Sequence, residues 1–424
     1  MARSDLVGIV PFGPRVGRRA GYDSKTVKMK PRLGAALHSA RDPFLARVRA
    51  AVSRRLLPWF RRNARDLPWR RRRTPYRVLV SELMLQQTRV ETVIPYFRRF
   101  LRRFPSLRAL AAADESAVLK AWEGLGYYAR ARNLHRLARY LVEQRGGRFP
   151  RAYEGWLALP GVGPYTAAAL GSFALGLDLP LSDGNVRRVL ARVFALDEAR
   201  RERLDADCRT LAAAVLPRGK AAAFNEALMD LGATICAPKR PACDVCPLRA
   251  VCRARAAGAP ERWPRRRPKT PIPYLIVGAA VAVDARGRVL IARRRSEGLL
   301  GGLWEFPGGK IEPGETMAQC IARELREEMG IEIEVGERLT VVRHAYSHFT
   351  IELHAHFARR VAGRPRALHC AAFAWVPVAR LREYAFSRAD LRIVEALEER
   401  AAAEKPGSKQ RGRVSQRRKG RRNG

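Results

Sequence analysis

Two carboxyl groups, Glu82 and Asp183, lie in sequence settings that favour opposite protonation states. Glu82 falls inside a helix predicted to begin at Thr74-Pro75, four residues after Val78 and three before Leu85, so it shares a face with aliphatic side chains. Loss of hydration there raises the pKa of a carboxyl group and suits it to general-acid catalysis near neutral pH. Asp183 precedes another predicted helix, whose N-terminus favours a carboxylate anion. Two carboxyl groups with pKa values displaced in opposite directions are typical of sites that cleave glycosidic bonds.

A glycine-rich turn over Leu159–Thr166 lies upstream of Asp183. Gly161 and Gly163 allow a second chain to approach the backbone closely, and Pro164 is suited to begin the helix behind them. The free N–H groups at such a helix start bind phosphate. Together with Asp183, the turn indicates work on the sugar-phosphate backbone of DNA. A tight connection between two packed helices is the alternative interpretation.

Four of the seven cysteines lie between residues 236 and 252, separated by six, two and five residues. Four thiolates this close in sequence can hold zinc or a [4Fe–4S] cluster, and the spacing does not choose between them. The other three cysteines stand alone, which indicates buried thiols and not a disulfide framework. The four candidate ligands are Cys236, Cys243, Cys246 and Cys252.

A third set of acids lies in the C-terminal half. Glu324, Glu327 and Glu328 have the i, i+3, i+4 spacing that places side chains on one helix face. Three carboxylates there can hold Mg²⁺ against a diphosphate. The surrounding stretch, residues 309–331, fits the Nudix signature at every defined position. The preceding Trp304–Gly309 resembles the MutT branch of that family.

The elements that position these groups divide the chain into an all-α half, residues 43–255, and an α+β half, residues 274–399. Helical spacing of apolar residues runs through the first half, and the second begins with an apolar strand-like run. Residues 256–273 are rich in proline and arginine and read as a stiff linker. The basic ends, 1–42 and 400–424, are predicted to be disordered, and the C-terminal one to bind nucleic acid.

The charge of the chain indicates a polyanionic partner. Its 424 residues include 82 Lys or Arg against 40 Asp or Glu, which gives a formal net charge of +42. No apolar run is long enough for a membrane span, and no signal-peptide core precedes the helical half. We expect a monomer in the cytoplasm, associated with the nucleoid and not with a membrane.

Several stretches together resemble the MutY adenine DNA glycosylases of the helix-hairpin-helix superfamily. They are Leu67–Arg70, Ser81–Thr88, Gly124–Leu134, the glycine-rich turn and Asp183–Asn185, and the resemblance covers about residues 43–255. It implies a helix-hairpin-helix fold and removal of adenine mispaired with 8-oxoguanine or guanine in double-stranded DNA. It also implies that the four cysteines hold a [4Fe–4S] cluster.

The resemblance implies roles for individual side chains. Glu82 protonates the flipped adenine, Asp183 stabilises the oxocarbenium-like sugar, and Tyr165 assists at the sugar. Gly161 and Gly163 contact the DNA backbone. For the apolar members of the two remaining sets, ordinary core packing is the alternative. These sets are Trp69, Arg70 and Glu226 around the adenine, and Gln87, Leu125 and Tyr127 in the gap left by the flipped base.

Tyr165 also bears on the product. Bifunctional relatives have a lysine at the equivalent turn position, and its amine attacks the sugar and leads to strand cleavage. A phenol cannot form that Schiff base. The sequence therefore predicts a monofunctional glycosylase that leaves an abasic site.

The C-terminal half departs from the family pattern. MutY proteins normally end in a MutT-like domain that reads 8-oxoguanine but has lost the three carboxylates, whereas this chain keeps them. His344–Phe349 resembles the reading loop, which implies that Ser347 and His348 contact the oxidised base. Two hypotheses follow: a recognition module with an inherited acidic box, or an active Mg²⁺-dependent diphosphatase acting on oxidised nucleotides.

Two other functions fit part of the pattern. A glycosylase acting on thymine or uracil opposite guanine would share the turn and the cysteines, but Glu82 within Ser81–Thr88 argues against it. A basic DNA-binding protein with inactive sites is a non-enzymatic alternative. Every carboxyl group that the chemistry needs is present, which argues against that reading.

Overall fold

The computed structural model describes residues 42–198, 201–265, 271–346 and 348–403. The chain divides between Pro271 and Ile272 into two compact units. The predicted basic arms lie almost entirely outside the described ranges. Within those ranges, no helix is both long and apolar enough to cross a membrane.

The first unit is all-α, as the sequence predicted. Its first two helices form one run in which a π-helical segment, Val52–Leu56, joins α1 to α2. The helices are α1 (Pro43–Ala51), α2 (Leu57–Asn63), α3 (Pro68–Arg71), α4 (Pro75–Leu85), α5 (Val90–Arg103), α6 (Leu107–Ala111), α7 (Glu115–Trp122), α8 (Ala129–Arg145), α9 (Tyr153–Leu157), α10 (Pro164–Leu175), α11 (Gly184–Phe194), α12 (Arg201–Val215), α13 (Ala221–Thr234) and α14 (Arg253–Ala256).

Three helix starts confirm sequence predictions. Thr74 caps α4 by accepting a hydrogen bond from the backbone N–H of Arg77, and Pro75 is the first residue of the helix. Pro164 begins α10 in the same way. Asp183 caps α11 through its side chain. Because these caps fix where each helix begins, they also fix which residues face the interior.

Helices α11 and α13 supply much of the apolar core of this unit. The apolar stripe along α11 is buried, and it packs with α1, α12 and the apolar face of α13. Full burial of these side chains supplies the hydrophobic driving force that holds the polar cavity described below. The stripe consists of Val186, Val189, Leu190 and Val193, and its partners on α13 include Phe224, Leu228 and Leu231.

The predicted linker begins on the helical unit. Helix α14 ends at Ala256, and a single 3₁₀ turn follows over Pro260–Arg262. The Nε of Arg192 on α11 donates a hydrogen bond to the carbonyl oxygen of Trp263, 3.1 Å away. Residues 256–263 therefore pack as part of this unit, and the linker residues 266–270 lie outside the described ranges.

The second unit is α+β, again as predicted. One sheet has the order β1-β5-β4, with β1 parallel to β5 and β4 antiparallel to it. The other sheet has the order β3-β2-β6 and is antiparallel. One apolar cluster packs against α15 and another against α16. The elements are β1 (Tyr274–Ala282), β2 (Arg288–Arg293), β3 (Trp304–Glu305), α15 (Met317–Met329), β4 (Glu332–Ala345), β5 (Thr350–Ala362), β6 (Ala372–Pro377) and α16 (Arg388–Ala403).

Helix α15 carries the three acids and approaches β1 very closely. A Cβ on Gly278 would lie 2.6 Å from Cγ1 of Ile321, so only glycine fits at that point of the strand. The N–H of Gly278 donates to the carbonyl oxygen of Gly309, 2.8 Å away, which lays the glycine-rich segment beside β1. This packing brings the acidic face of α15 to Gly308 and Gly309.

Candidate active site

A cavity of about 790 Å³ lies in the helical unit. Residues at the starts of α10 and α11 line it together with residues of α3, α4 and α13. Of the candidate site residues predicted in this unit, the structure brings seven together on this cavity. They are Trp69, Arg70, Glu82, Gln87, Tyr165, Asp183 and Glu226.

Glu82 is buried on α4, with 7% of its surface exposed. Burial raises the pKa of its carboxyl group to about 7, and the nearby acids Asp183 and Glu226 add to the effect. A hydrogen bond from the Tyr165 hydroxyl and the charge of Arg70 act in the opposite direction. Glu82 is therefore protonated in a large fraction of molecules at neutral pH, as predicted for a general acid.

Asp183 faces the same cavity from the start of α11. Its Oδ1 accepts a hydrogen bond from the backbone N–H of Val186 at 2.7 Å, and its Oδ2 accepts one from the side chain of Asn185 at 3.3 Å. The sequence predicted that this helix start would lower the pKa of Asp183, and that prediction was wrong. Burial raises the pKa, and the capping bonds offset only part of the effect. Without DNA, the two carboxyl groups are therefore displaced in the same direction.

An ion-pair network joins α3 to α13 beside the cavity. Arg70 donates to both oxygens of Asp230, at 2.8 and 3.0 Å, and its Nε lies 3.2 Å from Glu226. Arg73 binds the other oxygen of Glu226 at 2.7 Å, and Arg65 binds Asp230 at 2.7 Å. Arg70 lines the cavity as predicted. Its guanidinium binds both Glu226 and Asp230, so Arg70 fixes the orientation of the Glu226 carboxylate.

The sequence analysis missed Asp230, Arg65 and Arg73. The spacing contained a signal for Asp230, because Glu226 and Asp230 are four residues apart on the otherwise apolar helix α13. Two acids on one buried face require cations, and Arg65, Arg70 and Arg73 supply them.

The predicted gap-filling residues occupy two loops. Gln87, in the α4–α5 loop, is exposed and has a left-handed backbone with φ of 57°. Leu125 and Tyr127 belong to the α7–α8 loop, where Leu125 is buried and Tyr127 has φ of 49°. Trp69 lines the cavity and packs edge-on against Phe97, with 5.6 Å between the ring centroids. Its core-packing and pocket-lining roles therefore coexist.

Arg130, which the sequence analysis also missed, ties these two loops together. One terminal nitrogen of its buried guanidinium donates to the carbonyl oxygens of Leu83, Met84 and Gln86. The other donates to those of Leu125 and Gly126, at 3.3 and 3.0 Å. No local pattern distinguishes Arg130 from the neighbouring arginines of α8, because its partners in the first loop are 44 or more residues away.

The sequence patterns also gave no role to Asn225, on α13. Its side chain is fully buried, accepts a hydrogen bond from the N–H of Leu181 at 3.0 Å and donates to the carbonyl oxygen of Leu179 at 2.9 Å. These bonds fix the extended segment that leads into Asp183. Asn225 thereby sets the position of the aspartate on the cavity wall.

The glycine-rich turn has the geometry expected of a site for a second chain. Gly161 has φ of 75°, a left-handed conformation that glycine adopts without strain. A Cβ on Gly163 would have no atom within 4 Å, so the surface over the start of α10 is open. The free N–H groups there are accessible to an anion.

All four clustered cysteines line one small cavity. The buried Arg192 holds this loop to α11 by donating to the carbonyl oxygens of Ala237, at 2.7 Å, and Pro238, at 3.1 Å. Within the described ranges, no three His, Cys, Asp or Glu side chains converge closely enough to hold a single metal ion. The donor set of four thiols around one space fits a [4Fe–4S] cluster.

The acidic face of α15 is held by Arg323. Its guanidinium donates to Glu315 at 2.6 Å, Glu324 at 3.1 Å and Glu327 at 3.3 Å. The carboxylate of Glu324 lies directly over Gly309. Burial raises the pKa of Glu328 to about 7, and the charge of Glu324 contributes. The structure thus brings Glu324 and Glu327 together on one arginine, whereas the Glu328 carboxyl group is more buried.

The predicted reading loop is described only in part. Ser347 lies outside the described ranges, and His348 is exposed. Tyr346 stacks on Phe349 with 4.8 Å between ring centroids and packs edge-on against His344 at 4.6 Å. The loop therefore rests on an aromatic cluster.

Substituting Arg130 with Met should lower the free energy of unfolding of the helical unit by about 2–3 kcal/mol, because the buried carbonyl oxygens of both loops lose their donor. Denaturant unfolding measures the change. The matched control is Arg136→Met on the exposed side of α8, where the guanidinium donates a hydrogen bond to the side chain of Asn133. Equal stabilities of the two variants would contradict the role assigned to Arg130.

Two family descriptions match the chain: an HhH-GPD superfamily base excision DNA repair protein over residues 80–213, and a NUDIX domain over residues 278–396. An adenine DNA glycosylase of Rattus norvegicus is 33% identical over 414 residues, which cover 85% of this chain and 80% of the relative. One of Mycolicibacterium smegmatis is 42% identical over 214 residues, which cover 50% of this chain and 72% of that protein. The solved structure of a thermostable thymine-DNA glycosylase aligns along its whole length with 52% of this chain, at 30% identity and a TM-score of 0.46. The chain is a DNA N-glycosylase and belongs to the adenine DNA glycosylase family.

Proposed function

We propose that this protein excises adenine mispaired with 8-oxoguanine or guanine in double-stranded DNA and acts as a monomer in the cytoplasm, at the nucleoid. The observation that carries the proposal is the single cavity that holds Glu82, Tyr165 and Asp183. Membership of the adenine DNA glycosylase family supports adenine as the base, and the net charge of +42 supports a polyanionic partner.

The geometry supports a division of work between the two carboxyl groups. A protonated Glu82 donates its proton to the flipped adenine as the N-glycosidic bond breaks, which makes the base a neutral leaving group. Positive charge then develops on the sugar, where the Asp183 carboxylate stabilises it. Tyr165 donates a hydrogen bond to Glu82 and stands beside Asp183, so it orients the acid at the sugar. Water completes the reaction and leaves an abasic site.

The proposed enzyme is monofunctional. Tyr165 stands at the turn position where an attacking amine would be needed, and burial together with Glu82 raises the pKa of its hydroxyl. A neutral phenol supplies neither a Schiff base nor a good nucleophile. Borohydride should therefore trap no covalent complex with DNA.

The [4Fe–4S] cluster is proposed as a structural group on Cys236, Cys243, Cys246 and Cys252. Four thiolates supply its ligands, and the Arg192 guanidinium donates a hydrogen bond to the sulfur of Cys236 over 3.3 Å. The exposed Lys239 and Arg240 between the first two cysteines would face DNA phosphate. When bound, the cluster shapes the loop and takes no part in breaking the glycosidic bond.

Glu82→Gln should lower the single-turnover rate of adenine excision about 10²–10⁴-fold, because an amide cannot donate the proton. Since the pKa of Glu82 is about 7, its acid form predominates below pH 7 and is lost above it. The wild-type rate should therefore fall as pH rises through 7. Quenched time courses on duplexes with adenine opposite 8-oxoguanine, adenine opposite guanine and thymine opposite guanine measure this. Full activity of Glu82→Gln, or turnover of the thymine duplex alone, would overturn the proposal.

Purified protein should contain four iron atoms per chain, with broad visible absorbance from thiolate-to-iron charge transfer. Cys246→Ser should lose both, whereas Cys208→Ser, at a buried cysteine away from the loop, should keep both. Iron-free wild-type protein with bound zinc would contradict the assignment.

We propose a second activity for the α+β unit: Mg²⁺-dependent hydrolysis of oxidised nucleoside triphosphates, in addition to reading 8-oxoguanine through Ser347 and His348. The observation that favours it is the crowding of Glu324, Glu327 and Glu328 beside Gly308 and Gly309. Carboxylate oxygens are the ligands that Mg²⁺ prefers, and a bound cation would relieve the repulsion between them.

With 8-oxo-dGTP and Mg²⁺, the wild-type protein should release a monophosphate, and Glu327→Gln should abolish the release. The matched control is Glu337→Gln, an exposed acid on β4 that pairs with Arg400. Ion-exchange analysis of the products measures both variants. If the wild-type protein releases no monophosphate, the unit serves recognition alone.

A further inference from the structure

A second, smaller cavity adjoins the proposed active site. Its volume is about 290 Å³. Four residues line both cavities, so these side chains form the wall between them. They are Pro164, Tyr165, Ser182 and Arg209.

Ser182 places an unsatisfied hydroxyl in this wall. Its Oγ is buried and has no hydrogen-bond partner among the described residues. The bond from Leu181 to the buried Asn225 fixes the backbone immediately before it, and the cap at Asp183 fixes the backbone immediately after. A buried hydroxyl held rigidly without a partner is unfavourable unless a ligand supplies one.

Arg209 brings a positive charge to the same wall. It is exposed on α12 and makes no hydrogen bond or ion pair with any described residue. The nearest acid on its own helix face, Asp205, is bound by Arg187. Arginine is the side chain best matched to a phosphate group, because its planar fork donates two parallel hydrogen bonds.

The position of this pair indicates which phosphate it meets. In the proposed reaction, the sugar of the excised base lies between Glu82 and Asp183, beside Tyr165, since all three side chains line one cavity. Its own 5′ and 3′ phosphates are only a few bonds from the ring, so one of them has to pass the wall that Tyr165 shares with Ser182 and Arg209. The open start of α10 lies on the same side, since Pro164 also lines both cavities.

We propose that Arg209 and Ser182 grip the DNA phosphate next to the flipped nucleotide and so position its sugar against Asp183. This inference rests on the proposed glycosylase function. Arg209 supplies the charge and Ser182 the directed hydroxyl. Both are positioning residues, because neither reaches the bond that breaks.

The test uses the full chain and a fluorescent duplex with non-hydrolysable 2′-fluoro-2′-deoxyadenosine opposite 8-oxoguanine. Anisotropy titrations measure the Kd for this duplex and for versions in which one flanking phosphate at a time is a neutral methylphosphonate. Arg209→Gln should weaken binding of the normal duplex about tenfold and reduce the salt slope by about one. Ser182→Ala should weaken it about threefold.

The decisive result is coupling between each substitution and the neutralisation of one particular phosphate. On the duplex whose contacted phosphate is neutral, Arg209→Gln and Ser182→Ala should each change Kd less than twofold, because the interaction is already absent. The matched control is Arg203→Gln, an exposed arginine on α12 that lines neither cavity. It should change Kd less than twofold on every duplex, and circular dichroism should show all variants folded.

The proposal is overturned if Arg209→Gln and Arg203→Gln have equal effects, or if no methylphosphonate removes the effect of Arg209→Gln. A third outcome also overturns it: inorganic phosphate binds the wild type but not Arg209→Gln, and no methylphosphonate changes the Kd of the duplex. The site would then bind a free anion and not a DNA phosphate. Excision by the wild type, assayed in parallel, tests the proposed function separately. Coupling without excision would support the phosphate contact and contradict the proposed excision of adenine opposite 8-oxoguanine.

Discussion

Four carboxyl groups, those of Glu82, Asp183, Glu226 and Asp230, lie in or beside one cavity, and burial opposes the ionisation of each. The protein meets this constraint differently at each group. Asp230 stays ionised because Arg70 and Arg65 bind it, and these bonds lower its pKa despite burial. Glu82 has no cation of its own and retains a proton instead. Since these groups lie on α3, α4 and α13 and at the start of α11, one arrangement of charge joins four helices.

This dependence explains which parts of the site the sequence could predict. Caps and helix starts at Thr74, Pro164 and Asp183 are local, so sequence patterns located them correctly. The burial of Glu82 followed from its aliphatic neighbours on α4. The pKa direction of Asp183 was wrong because its burial depends on helices remote in sequence. Arg130 and Asn225 were missed for the same reason, since Arg130 binds Met84 and Gln86, and Asn225 binds Leu181, all 44 or more residues away.

In the α+β unit, too, the local pattern of the acids could be predicted and their packing could not. Three acids share a face of α15, and Arg323 binds two of them together with Glu315. The close contact at Gly278 and the capping box at Thr316 fix that helix independently of any ligand. The spacing of the acids could therefore be recognised in the sequence. Their contacts with Arg323 and the burial of Glu328 could not, because both depend on how α15 packs in the folded unit.

Helix α11 connects two features that are separate in sequence. Asp183 caps its first turn, while Arg188 and Arg192, one and two turns further on, hold the cysteine loop and the segment beyond it. A helix of this length behaves as a stiff rod with a rise of about 1.5 Å per residue. The cysteine loop and the capping carboxylate are therefore attached to one rigid helix, so the four cysteines and Asp183 share a single support.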